Sequence, residues 1–141
     1  MFRTIDETML VSPQIGPDDL AEAAARGVRV VINNRPDDEE AGQPEGDAIK
    51  DAAEAAGLRY VAIPVSHAGF SHAQVDAMVQ ALEDAEGPVL AYCKSGTRST
   101  YLWALARAKM GDHPAVLIEK AEGAGYDLRP IRPMLDALAA Q

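Results

Sequence analysis

The feature that most constrains this chain is an alternation. Short runs rich in branched apolar residues, "VRVVINN" (28–34), "LRYVAIPV" (58–65) and "PVLAYC" (88–93), are separated by alanine-rich stretches of helical length. Three of these stretches, "PDDLAEAAARG", "DAIKDAAEAAG" and "SHAQVDAMVQALEDAEG", end at a glycine, as helices commonly do. Pro17 suits a first helical turn and Ser71 an N-cap. Strands that alternate with helices are joined by crossovers, and crossovers impose parallel pairing. The sequence therefore predicts an α/β fold: a single domain over 1–141, with a central, mostly parallel sheet of about four to five strands flanked by helices on both faces. "TMLVSPQI" (8–15) reads as a short edge strand, because Pro13 limits its pairing. A further helix is expected from about Arg98 to Met110, then two shorter ones broken by "GAGYDLRP" (123–130).

In such sheets ligands bind outside the carboxyl ends of the strands. Three loops leave from those ends, after Asn34, after Val65 and at Cys93, and they should lie together. Composition narrows the ligand. The net charge of −9 over 141 residues opposes nucleic-acid or anionic-membrane binding, both of which need basic surface. A single cysteine excludes an internal disulfide framework and favours a reducing compartment. The amino-terminal residues show no apolar leader region and no run reaches membrane-spanning length, so a cytoplasmic location is expected. No metal-ligand spacing is present and no cofactor is implied.

The lone cysteine opens "CKSGTRS" (93–99). Between a strand and a helix, small residues let backbone N–H groups converge, and the helix N-terminus adds more donors. Ser95, Gly96, Thr97 and Ser99 with Lys94 would form an anion cradle, and Arg98 can grip an oxyanion with two parallel hydrogen bonds. A thiol at its lip is favoured as thiolate and aimed at the bound group. The ordinary alternative, Cys93 as a small buried apolar residue, does not account for Gly96 and Arg98 at this spacing. The expected partner is a small oxyanion or phosphorylated substrate. Around the loop, Arg35 follows a strand directly and is a candidate second anion ligand. Asp37, Asp38, Glu39 and Glu40 read mostly as a solvated acidic loop, although one of them can pair with Arg35 or Arg98. Trp103 and Tyr126 read as core.

"VSPQIGPDDLAEAAARGVRVVINNRPDDEE", "LAYCKSGTRS" and "AGYDL" together resemble the bacterial beta-lactamase-hydrolase-like family, phosphatase-like domain, over roughly the first three-quarters of the chain. That family is similar to the cysteine-dependent dual-specificity and tyrosine phosphatases, and its members are also called sulfur transferases. The resemblance implies Cys93 as nucleophile, Arg98 as oxyanion ligand and the backbone from Lys94 to Ser99 as the cradle. Three departures stand out. Tyr92, not histidine, precedes Cys93. Four residues rather than five separate Cys93 from Arg98. The loop "IPVSHAGFSH" (63–72) lacks the aspartate that protonates the leaving group. The first two departures resemble rhodanese-type sulfurtransferases. His67 is the best substitute acid, since histidine donates protons near neutral pH; an exposed loop histidine is the bland reading. Three functions follow, in this order: a hydrolase working through phosphocysteine, a sulfurtransferase carrying a persulfide on Cys93, and a non-catalytic oxyanion-binding module.

Overall fold

The structure is a computed structural model that describes residues 1–141. Five strands form one sheet: β1 (Arg3–Asp6), β2 (Met9–Ser12), β3 (Val30–Asn33), β4 (Arg59–Ala62) and β5 (Val89–Tyr92), in the order β1-β2-β5-β3-β4. Every pairing is parallel except that of β1 with β2. β5 lies in the middle, with Tyr92 in register with Ser12 on one side and Asn33 on the other. β3 and β5 are buried at every position, as expected of parallel strands covered on both faces.

The amino-terminal hairpin corrects the sequence reading. "TMLVSPQI" reads as an edge strand, but β2 has neighbours on both sides and β1 forms the edge. Pro13 falls just beyond the last residue of β2, where its missing N–H costs no ladder bond. The turn between the two strands is made by Asp6, whose Oδ1 accepts from the N–H and the hydroxyl of Thr8 at 2.9 and 2.7 Å. This side-chain turn carries no glycine signal.

Six helices cover the sheet. α1 (Asp19–Ala25) and α2 (Gly46–Ala55) pack on one face through Leu20, Ala23, Ile49 and Ala53, in an apolar cluster of 11 buried residues. α3 (His72–Asp84), α4 (Thr97–Lys109), α5 (Pro114–Gly123) and α6 (Arg132–Ala139) share the larger cluster of 25 on the other face. α4 is the hub of that layer. It is flanked by α3, α5 and α6, which explains why Leu102 to Ala106 are all buried with no polar side. Ser71 caps α3 as expected: its hydroxyl accepts from Gln74 N at 3.1 Å, and Gln74 Oε1 accepts from Ser71 N at 2.8 Å. No helix is long and apolar enough to cross a membrane.

Candidate active site

The carboxyl ends of β2, β3, β4 and β5 share one edge, and the three loops singled out in the sequence meet there. Asn34 ties them. Its N–H donates to Tyr92 O and its Nδ2 to Ile63 O, both at 2.9 Å, while its Oδ1 accepts from Ser99 Oγ at 2.8 Å. The β3 exit, the β4 exit and the first turn of α4 are thereby fixed by one buried side chain.

Cys93 directly follows β5 and is fully buried. Its Sγ accepts from Gly96 N at 3.1 Å. Gly96 adopts φ 94, a left-handed conformation that glycine tolerates without strain, and it is the N-cap of α4. The loop therefore turns back on its own sulfur just before the helix begins. The N–H groups of Lys94, Ser95, Arg98 and Ser99 have no acceptor within the chain, the last two as the start of a helix requires.

Arg98 is held rather than free. Nη1 donates to Glu39 Oε2 at 2.7 Å and to Val65 O at 2.6 Å, and Nη2 donates to Glu39 Oε1 at 2.9 Å. A guanidinium carries five donors, so three are engaged. The Nε–H and one Nη2–H remain, the pair that makes a side-on fork, and Cys93 lies close enough to be a hydrogen-bond partner of the guanidinium. The guanidinium pKa is raised above its ordinary value, first by the bond to Glu39, against burial, and then by the charge of the nearby Cys93.

Glu39 is the residue that the sequence pointed to least clearly. Besides Arg98, it accepts from Arg35 Nε at 2.8 Å. The hydrogen bond from Arg98 is the main reason its carboxyl is lowered from 4.5 to about 2; Arg35 adds to this, and burial opposes it. Glu40 continues the chain of charges, accepting from Arg35 Nη2 at 3.1 Å and pairing with Lys94 at 3.2 Å. Arg35, expected as a second anion ligand, has an acceptor on each guanidinium nitrogen, the third being Gln14 Oε1 at 3.0 Å. Its side chain is 3% exposed, and it reaches the cradle indirectly, through the two glutamates and through Gln14, whose N–H donates to Lys94 O. Ser99 likewise turns its hydroxyl into the interior, toward Asn34. Lys94 and Ser95 are exposed, and Thr97 shares a hydrogen bond with Ser95 Oγ at 3.1 Å. His67 is exposed on the β4–α3 loop and makes no hydrogen bond. Trp103 and Tyr126 both belong to the core as expected, and Tyr126 makes in addition one polar contact with the loop: its hydroxyl donates to Ser95 O at 3.0 Å. No group of three or more metal-ligand side chains is present.

With this geometry in view, comparison with known proteins is informative. The profile of the family described as beta-lactamase hydrolase-like protein, phosphatase-like domain, matches residues 1–110. The chain belongs to this family. A beta-lactamase hydrolase-like protein of Xylella fastidiosa (strain 9a5c) is 38% identical over 138 residues, 97% of this chain and 32% of the relative. The chain thus spans about a third of the length of that curated relative. The crystal structure of a candidate phosphatase from Neisseria meningitidis superposes with a TM-score of 0.83 at 36% identity, covering 96% of each chain. That of a P. aeruginosa TpbA variant in complex with pTyr superposes with a TM-score of 0.64 at 21% identity, covering 96% of this chain and 85% of TpbA, and shows a shared fold. The family member described here therefore has a phosphatase-like fold, and its loop over 93–99 lies on the edge where α/β folds bind ligands.

Proposed function

We propose that this family member hydrolyses phosphate monoesters through Cys93. The observation that supports this best is the pairing of a sulfur that accepts from Gly96 N with a neighbouring arginine whose outer face is clamped by Glu39. The TpbA complex, whose description names phosphotyrosine, supports a phosphate as the group bound. In the first step the Cys93 thiolate attacks phosphorus and the bond to the leaving oxygen breaks, while Arg98 and the backbone donors neutralise charge on the non-bridging oxygens. His67 gives its proton to the leaving oxygen. Water then cleaves the S–P bond, releasing inorganic phosphate and regenerating the thiolate.

One observation favours a second reading. The four residues between Cys93 and Arg98 make a tighter loop, suited to a single sulfane sulfur. In that chemistry Cys93 takes the outer sulfur of thiosulfate with release of sulfite, and the persulfide then passes it to cyanide as thiocyanate. Parallel assays of the protein and its Cys93→Ser variant, on p-nitrophenyl phosphate and on thiosulfate with cyanide, separate the two. Phosphate release that vanishes in Cys93→Ser, with no persulfide mass on the wild type, is the expected result. Thiocyanate formation with a persulfide on Cys93 and no phosphate release would replace the first reading with the second.

A further inference from the structure

In a trans peptide the C=O of one residue and the N–H of the next point in opposite directions. The plane joining Ser95 to Gly96 is used at both ends. Its N–H meets Cys93 Sγ at 3.1 Å, and its carbonyl accepts from the hydroxyl of Tyr126 at 3.0 Å. This plane needs holding, because Gly96 at φ 94 has the backbone freedom that makes a peptide easy to rotate. Rotated, the plane would turn the lone pairs of the Ser95 oxygen toward the sulfur in place of a donor. We propose that Tyr126 is a positioning residue for Cys93, its hydroxyl locking the 95–96 peptide in the orientation that favours the thiolate.

Tyr126 is itself firmly placed. It follows the end of α5, where Gly125 at φ 91 reverses the chain. There Gly125 N donates to Glu122 O and Tyr126 N to Ala121 O, both at 2.9 Å, the bond pattern of a left-handed helix cap. The Arg3 guanidinium lies 5.2 Å from the ring centroid, and its Nη1 donates to Ala124 O at 3.4 Å. The hydroxyl end of the ring abuts Gly96 so closely that a Cβ there would lie 2.0 Å from the tyrosine oxygen. Burial is the main cause of the raised pKa of the Tyr126 phenol; Arg3 lowers it, and the charge of Cys93 adds a further rise. The hydroxyl and the sulfur therefore sense one another across a single peptide.

The inference rests on Cys93 acting as a nucleophile, but not on whether phosphorus or sulfur is transferred. Its test is accordingly independent of substrate. Cys93 is the only cysteine, so ultraviolet thiolate absorbance titrated against pH, taken as the difference from the same protein carrying Cys93→Ser so that the absorbance of ionised tyrosines cancels, reports this residue alone. Tyr126→Phe keeps the ring over Gly96 and removes only the hydroxyl. The midpoint of thiolate formation is expected to move up by about one pH unit, a tenfold loss of thiolate at fixed pH, with thermal unfolding close to wild type. An unchanged midpoint would overturn the proposal. So would a shift accompanied by a fall in thermal stability as large as that of Tyr126→Ala, since general loosening would then explain it. If neither phosphate nor thiocyanate turnover is found, the titration still decides the role of Tyr126.

Discussion

Two loops on the same sheet edge are built on opposite plans. The β5–α4 loop is tied down almost residue by residue: Cys93 N to Ser12 O at 3.4 Å, Lys94 O to Gln14 N at 3.2 Å, Ser95 O to Tyr126, Gly96 N to the sulfur, and Arg98 to Glu39. The β4–α3 loop, from Ser66 to Gly69, is exposed and bonded only to itself, Ala68 N to Ser66 Oγ at 3.2 Å and Gly69 N to Ser66 O at 3.4 Å. The contrast fits the two tasks proposed for these loops. Groups that stabilise a developing charge must be in place beforehand, since reorganising them would cost what they supply. A proton donor can come from a loosely bound segment, provided it reaches the leaving oxygen.

The largest effect expected from breaking this contrast comes from loosening the tied side. Glu39→Ala leaves the buried Arg35 and the partly buried Arg98 without their shared carboxylate, and should destabilise the fold by about 1.5–3 kcal/mol, the range for hydrogen bonds to charged groups, since each arginine keeps another acceptor. Chemical denaturation measures this. The pH dependence follows from the same residue. Because the folded-state pKa of Glu39 is depressed, its contribution is present above its ordinary 4.5 and is lost as pH falls toward about 2. Thermal midpoints of the wild type should fall across that window, and those of Glu39→Gln should fall less; parallel curves would show that Glu39 does not carry the dependence.

On the loose side the effect is smaller and depends on substrate. His67→Ala should lower kcat by about 100-fold on an alkyl phosphate, where the leaving oxygen needs a proton, and by little on p-nitrophenyl phosphate. Equal losses, or none, on both esters would remove His67 from the mechanism. Smallest of all, Ser71→Ala removes the cap that ends this loop, at about 1 kcal/mol of stability. Kinetics on either ester should not change, and a loss of activity would show that the loop is positioned from its α3 end.

Much of the frame was legible because it rests on periodicity and chain direction. Buried runs such as "VRVVINN" between glycine-ended helices leave little choice but a parallel sheet, and that places Cys93, Arg98 and Glu39 on one edge. What was not legible depends on the backbone path. In "PDDEE" four adjacent acids are equivalent on paper. The chain takes a positive φ of 64 at Asp38, and Glu39, partly buried, meets both arginines while Asp37 caps Gly46 N at 2.8 Å. Arg35 looked like an anion ligand because it follows a strand, yet its ligands are protein carboxylates and an amide. β1 was missed because Asp6 builds the hairpin turn through its side chain. Tyr126 is core as read, but its bond to Ser95 O was missed because the cap that aims the hydroxyl forms only once α5 ends at Gly125.

That last placement bears on how such a domain can be cut and joined. The family profile ends at residue 110, although the likeness to an individual relative runs on over 138 residues, and Tyr126, proposed to hold the cysteine loop, lies in the part beyond the profile. A graft that carried only the profiled stretch into a longer polypeptide would deliver the cysteine and the arginine without that proposed brace. If Tyr126 positions Cys93 as proposed, the smallest portion that can be inherited or transplanted as a working unit extends at least through the turn that follows α5.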